Sequence, residues 1–175
     1  MNKNFIKILR AGINTTFQDL GRNNLCHIGI PFSGAMDNRN FLLSNKLVKN
    51  NLNTPVIEFA YQGPHLKYHG EKLNIAITGD VSFKIKKKKE IINGSCYESY
   101  LLEDNDEIDV YSTNKSVYGY LALGGELDIK FQWESCSINT RANIGSNSGK
   151  KISAGQEFYL KKINKDHSKK KIGYI

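Results

Sequence analysis

Apolar residues in this chain come in short bursts, rich in β-branched and aromatic side chains and separated by turn residues. That rhythm restricts the chain to a mainly β fold. Phe5 to Leu9, Leu73 to Thr78, Val81 to Ile85, Ile108 to Tyr111 and Val117 to Leu123 all read as strands. Val81, Phe83 and Ile85 alternate with polar neighbours, the pattern of a strand with one face toward water. Asn93-Gly94, between Ile91-Ile92 and Cys96-Tyr97, carries the signal of a two-residue hairpin turn. One segment breaks the rhythm. Phe41, Leu42, Leu43, Leu47 and Val48 recur near helical spacing, which predicts a helix between Asp37 and Asn50, stopped by Asn50-Asn51 and Asn53-Thr54-Pro55. Many strands, regular turns and one short helix predict a small β-barrel, and 175 residues suffice to bury its core.

The densest stretch of chemistry is Gln18-Asp-Leu-Gly-Arg22 and the following run to Asp37, just before the predicted helix. Gly21, Gly29, Pro31 and Gly34 punctuate it, as expected of a folded loop whose backbone approaches something closely. Within it, Asp19, Arg22 and Asp37 are the catalytic candidates, and each has a structural rival. Asp19 and Arg22 can form a local ion pair that shapes the loop, the reading favoured here, or Arg22 can hold a carboxylate or phosphate through its planar fork of donors. Asp37 can cap the helix, contact a ligand, or do both, since helix N-termini attract anions. Gln18, Ser33 and Met36 can line a pocket. Asn45 either joins them or satisfies a buried backbone group, and Glu58 is either a paired core carboxylate or part of the site.

Charge and cysteine usage exclude more than they suggest. The net charge of +8 looks like a nucleic-acid footprint until it is located. Lys84, Lys86 to Lys89, Lys161, Lys162, Lys165 and Lys169 to Lys171 lie in one strand end and one tail. Without these lysines and Asp166, the 25 basic and 17 acidic residues fall to 14 and 16. A surface that tracks phosphates distributes its cations and interleaves aromatics, so nucleic-acid binding is not expected. Cys26, Cys96 and Cys136 form no metal or disulfide pattern and read as buried, inert thiols, with Cys26 and His27 on opposite faces of a strand. His65 and His69 are four apart, but Gly63-Pro64 and Gly70 argue against the helix that would make them a metal pair, so no metal site is expected. Gly145 to Lys151 imitates a phosphate-binding loop, but is one residue short and lacks both the hydroxyl residue and the helix that should follow. Met1 to Arg10 holds only short apolar runs, which argues against a signal peptide, and no run is long enough to span a bilayer. A cytoplasmic location without membrane contact is the default.

Gln18-Asp19-Leu20-Gly21-Arg22, Gly29-Ile30-Pro31-Phe32-Ser33-Gly34-Ala35-Met36-Asp37 and Ser44 to Asn50 are followed in order by Ile57-Glu58, Gly63-Pro64 and Ile77-Thr78-Gly79-Asp80. Tyr120 to Gly125 and Gly155-Gln156-Glu157-Phe158 complete the series. Colinear over nearly the whole chain, the set resembles the C-subunit of 5-oxoprolinase. That family is also called the biotin-dependent carboxyltransferase family, and it includes the matching part of urea amidolyase. The resemblance implies a cyclophilin-like β-barrel, the first of two related barrels in tandem. It divides the chain into a barrel over residues 1–160 and a Lys-rich tail, or the start of a second domain, over 161–175. It implies a subunit or fragment of an ATP-dependent hydrolase that opens the 5-oxoproline lactam to glutamate. The partners would be a protein like the B-subunit of 5-oxoprolinase and a second-half barrel chain, with ATP bound by the complex. Gln18, Arg22, Ser33 and Asp37 would orient substrate, and Asp19 or Asp37 would move a proton. Two other roles suit the same family: half of a carboxyltransferase using biotin from another polypeptide, or a regulatory binding module without turnover. The pattern departs at Asn24, at Glu134-Ser135-Cys136-Ser137-Ile138 (usually Gly-Ser-Arg-Ser-Thr) and at Ser146.

Overall fold

The computed structural model describes residues 4–173; Met1 to Lys3, and Tyr174 and Ile175 at the end of the predicted tail, lie outside the described residues. Two antiparallel sheets carry the fold. The larger runs β11 (Gly125–Leu127), β12 (Glu157–Ile163), β1 (Phe5–Arg10), β4 (His65–His69), β9 (Glu107–Thr113), β6 (Val81–Lys86) and β7 (Ile91–Asn93). The smaller runs β2 (Asn14–Gln18), β3 (Val56–Ala60), β10 (Tyr118–Leu123), β5 (Leu73–Thr78) and β8 (Ser99–Leu102). Their facing sides share one core that includes Ile6, Ile8, Phe17, Phe59, Ile75, Ile77, Phe83 and Leu121. The expected mainly β barrel with one short α-helix is what forms.

The two kinds of strand pattern have one cause. Along β6, Val81, Phe83 and Ile85 are buried while Ser82 between them is exposed, because only one face meets the core. Every residue of β5 is buried, because the smaller sheet is covered on both sides. Leu73, Ile75 and Ile77 enter the barrel core, whereas Ala76 faces outward beneath helix α1 (Asn38–Leu47). Phe41, Leu47 and Val48 pack there against Val56, Ala76, Tyr120 and Ala122. Burial of Phe41 alone contributes about 1.5–3 kcal/mol. Asp37 caps the helix, accepting from the Asn40 N–H at 3.0 Å, and Lys49 ends the turn in the left-handed region at φ 60°.

Two local expectations fail. Asn93-Gly94 is not a hairpin turn: β7 pairs with β6 through a turn closed by Lys87 N–H to Glu90 O at 2.9 Å. Gly94 is glycine for a packing reason instead, since a Cβ there would run into the Phe83 ring. Cys26 is exposed, in a short 3-10 turn over Cys26–Ile28, not buried on a strand, because the polar, glycine-bounded segment makes no sheet partner. Cys136 is buried and Cys96 half-buried.

The Lys-rich run is tied to the barrel. Lys161 and Lys162 lie in β12 and face Asp128 and Glu126 at 3.1 and 3.9 Å. Further on, Ser99 N–H donates to Lys170 O at 2.8 Å and Ile172 N–H to Tyr97 O at 2.9 Å, beside β8. Glu98 pairs with both Lys169 and Lys171. Such exposed pairs neutralise charge locally and add little stability. No helix among the described residues is long and apolar enough to cross a membrane.

Candidate functional site

Pairing of β2, β3 and β10 puts polar side chains on the outward face of the smaller sheet. Thr16 lies opposite Glu58 in the register, and Glu58 lies opposite Tyr120. Phe17 turns into the core while Thr16 and Gln18 turn the other way, as the two-residue period demands. Helix α1 covers part of this face. Beyond its N-terminus the face stays open as a cleft of about 390 Å³, lined by Gln18, Glu58, Ser33 and Met36 together with Asn139, Thr140 and Arg141.

The signature loop closes on itself to frame that cleft. Arg22 N–H donates to Phe32 O at 2.7 Å, and Ala35 N–H to Asp19 O at 2.9 Å. Gly21, at φ 88°, lies where a Cβ would come within 2.7 Å of the Phe32 carbonyl, so the fold of this loop requires glycine. Glu58 is 5% exposed. Its Oε2 accepts from the Met36 N–H and from the Tyr120 hydroxyl, each at 2.8 Å, and Tyr120 accepts in turn from the Asp37 N–H at 2.7 Å. Burial pushes the Glu58 carboxyl above its ordinary range; the Met36 and Tyr120 hydrogen bonds oppose that, and Asp37 adds to it. Gln18 is also 5% exposed. Its Nε2 donates to Thr16 Oγ1 at 2.9 Å and Ile138 O at 3.0 Å, and its Oε1 is buried without a partner. That acceptor is enclosed beside the cleft, so a donor arriving from the cleft would reach it only by shifting its cover.

Asp19 and Arg22 lie behind this surface, each 1% exposed. Asp19 accepts from Ser135 Oγ and Ser137 Oγ at 2.6 Å, Cys136 N–H at 2.7 Å and Gly21 N–H at 2.8 Å. Arg22 donates to the carbonyls of Gln132, Ser135 and Ser137 at 3.2, 3.4 and 2.7 Å. The favoured local ion pair is therefore absent: among the described residues no Asp19–Arg22 contact reaches salt-bridge distance, and the two grip the same distant loop instead. Burial lowers the proton affinity of Arg22 against the opposing pull of Asp19, and burial with Asp19 nearby drives the Cys136 thiol well upward. Cys136, where the resemblance leads one to expect arginine, sits inside the clasp, its backbone held by Asp19.

Of the eight candidates, Gln18, Ser33, Met36 and Glu58 come together in the cleft. Asp37 serves as helix cap and as a donor to Tyr120. Asn45 is fully buried and donates to Thr54 O at 2.8 Å, accepting from Asn50 at 3.0 Å, so it anchors the loop after the helix. Sequence reasoning overlooked Thr16, Tyr118, Asn139 and Arg141, which also line the cleft, and Tyr120, which supports Glu58. Tyr120 opened one of the colinear motifs, and Arg141 follows the altered 134–138 run; both signals were available.

Neither a metal nor a nucleotide finds a ready seat. No group of three His, Cys, Asp or Glu among the described residues is arranged to hold a metal. His65 bonds Glu107 at 2.9 Å on β4. In the loop resembling a phosphate cradle, Gly145 and Ser146 N–H groups donate to Gln132 Oε1 and Cys136 O, and Gly149 and Lys150 N–H groups donate within the turn. No α-helix follows it. That loop, its N–H groups already committed, does not fit the phosphates of ATP.

Residues 28–173 match the carboxyltransferase domain family, subdomain A and B. The urea amidolyase of Saccharomyces cerevisiae is 31% identical over 156 residues, 89% of this chain and 8% of that protein. The C-subunit of 5-oxoprolinase from Haemophilus influenzae is 30% identical over 152 residues, 87% of this chain. The chain spans 48% of that relative's length. Among solved structures, the urea carboxylase of Kluyveromyces lactis superposes with a TM-score of 0.85 at 28% identity, over 91% of this chain and 14% of its own.

Proposed function

The chain belongs to the carboxyltransferase domain family, and we propose that it is the substrate-binding barrel of a 5-oxoprolinase-like hydrolase complex. The observation that carries this reading is the pairing of an unsatisfied Gln18 Oε1 with the buried Glu58 carboxyl on one cleft wall. A lactam has one N–H, and Gln18 Oε1, once uncovered from the cleft side, would accept it. Hydrolysis adds water across the C–N bond: the carbonyl carbon gains oxygen, and the departing nitrogen keeps the bonding pair and takes up a proton. Glu58, with its upward-shifted carboxyl, suits delivery of that proton. Gln18 and Ser33 orient the ring, and the clasp of Asp19 and Arg22 holds the opposite wall in place. The amide is unactivated, and ATP would supply the activation. Its phosphates would be held by a partner like the B-subunit of 5-oxoprolinase, with a second barrel completing the assembly.

One observation favours a second reading. A ureido N–H would satisfy Gln18 Oε1 equally well, and urea amidolyase is among the relatives. In that case the cleft would serve a carboxyltransferase that acts on a urea-like acceptor, with biotin carried by another polypeptide. Reconstitution with that B-type partner, a second barrel chain and ATP separates the two. Glutamate released from 5-oxoproline, reduced about tenfold or more by Glu58→Gln and by Gln18→Leu, supports the lactam reading. Carboxylation of urea from a loaded biotin carrier, without glutamate release, replaces it. Turnover indifferent to both substitutions removes the cleft from the reaction.

A further inference from the structure

Arg141 is the one cation among the residues that line the cleft. Its side chain makes no hydrogen bond or ion pair with any described residue. The backbone beneath it is fixed. Asn139 Oδ1 accepts from the N–H groups of Arg141 and Ala142 at 3.2 and 3.1 Å, and Asn139 Nδ2 reaches Ser33 Oγ at 3.4 Å across the cleft. Gln18, at the end of β2, holds the Ile138 carbonyl at 3.0 Å, three residues before Arg141, and so ties its strand to the loop that carries the guanidinium. The cleft already contains the Glu58 carboxyl. Among the lining residues Arg141 alone can offset the charge of an anionic ligand, and a neutral ligand has no such need.

We infer that Arg141 determines specificity by reading a carboxylate, so that the cleft selects small amides bearing an acid next to the N–H and rejects their neutral analogues. This rests on the lactam reading above and adds to it a residue and a chemical requirement. In 5-oxoproline the ring N–H and the carboxylate sit on adjoining atoms, which suits an acceptor at the end of β2 and a cation on the loop tied to it. The guanidinium fork matches a carboxylate in two parallel hydrogen bonds.

Isothermal titration of the chain with 5-oxoproline, with 2-pyrrolidinone (the same lactam without its acid) and with urea tests this. Wild type should bind 5-oxoproline about tenfold or more tightly than 2-pyrrolidinone, the scale of one charge-assisted contact. Arg141→Gln should abolish that preference, leave 2-pyrrolidinone binding unchanged and leave the thermal midpoint unchanged, since the side chain is exposed. Arg141→Lys should restore part of the preference. Equal affinity of wild type for the two lactams, or a preference that survives Arg141→Gln, overturns the role of Arg141 while the lactam reading stands. Binding of urea alone overturns the lactam reading and this inference together, and so does an absence of heat with all three.

Discussion

Asp19 and Gln18 are neighbours in one signature, yet the structure uses them in opposite ways. Four donors converge on the two side-chain oxygens of Asp19. Gln18 is neutral and keeps an acceptor buried with nothing to accept. Arg22 stands between the two, with donors aimed at three carbonyls but a buried Nη1 without a partner, while Glu58 makes both of its hydrogen bonds through Oε2. The charged members of the signature build the wall, and the less conspicuous amide and buried acid face the opening.

The largest effect should come from breaking the clasp. Asp19→Ala leaves two hydroxyls and two N–H groups without their acceptor and strips Arg22 of the nearest opposing charge, so about 3–5 kcal/mol of stability should be lost. Urea denaturation measures it, and a cost below about 1 kcal/mol would mean that the clasp is not what holds the wall. Arg22→Met should cost somewhat less, about 2–3 kcal/mol, because the Gln132 carbonyl, on a half-buried residue, can rehydrate while those of the buried Ser135 and Ser137 cannot. Hydrogen exchange should then quicken at Ile138 and Asn139 more than in β5; uniform quickening would show that Arg22 supports the whole barrel and not this wall. Asn45→Ala comes next, at about 1–2 kcal/mol, for the lost bond to Thr54 O. It should leave ligand titrations untouched, and an altered affinity would move Asn45 from anchor to site.

How much of this could be read in the sequence follows the same division. β5 and β6 were legible, because burial on two faces or one writes itself as a continuous or an alternating apolar run. β2 and β3 were not, since Thr16, Gln18 and Glu58 interrupt the apolar pattern to make the floor of the cleft. Local rules yield where a site has to be built. Gly94 carried a turn signal but answers to the Phe83 ring, a neighbour that pairing alone brings near. The commitments of Asp19 were out of reach for a plainer reason. Its partners Ser135 and Ser137 lie 116 and 118 residues away, and a sequence shows a charge without showing what it holds.

The smallest effect on stability belongs to Glu58→Gln, and its pH dependence is the sharpest test of the comparison. The amide oxygen of glutamine can accept from Met36 N–H and Tyr120 OH as the carboxyl does, so the two proteins should be nearly equally stable in acid. The Glu58 carboxyl is shifted upward chiefly by burial, so the folded chain holds its proton more tightly than the unfolded chain. The resulting stability is fully present below the ordinary carboxylate range and is lost as pH rises through the raised value. Glutamine has no such loss. The stability of Glu58→Gln relative to wild type should therefore climb from the ordinary carboxylate range upward and level off once the folded-state value is passed. Midpoints of thermal unfolding across that range read the curve directly. A difference that stays flat, or falls as pH rises, would mean that Glu58 is ionised and satisfied like Asp19, and the line drawn between the wall and the opening would lose its chemical basis.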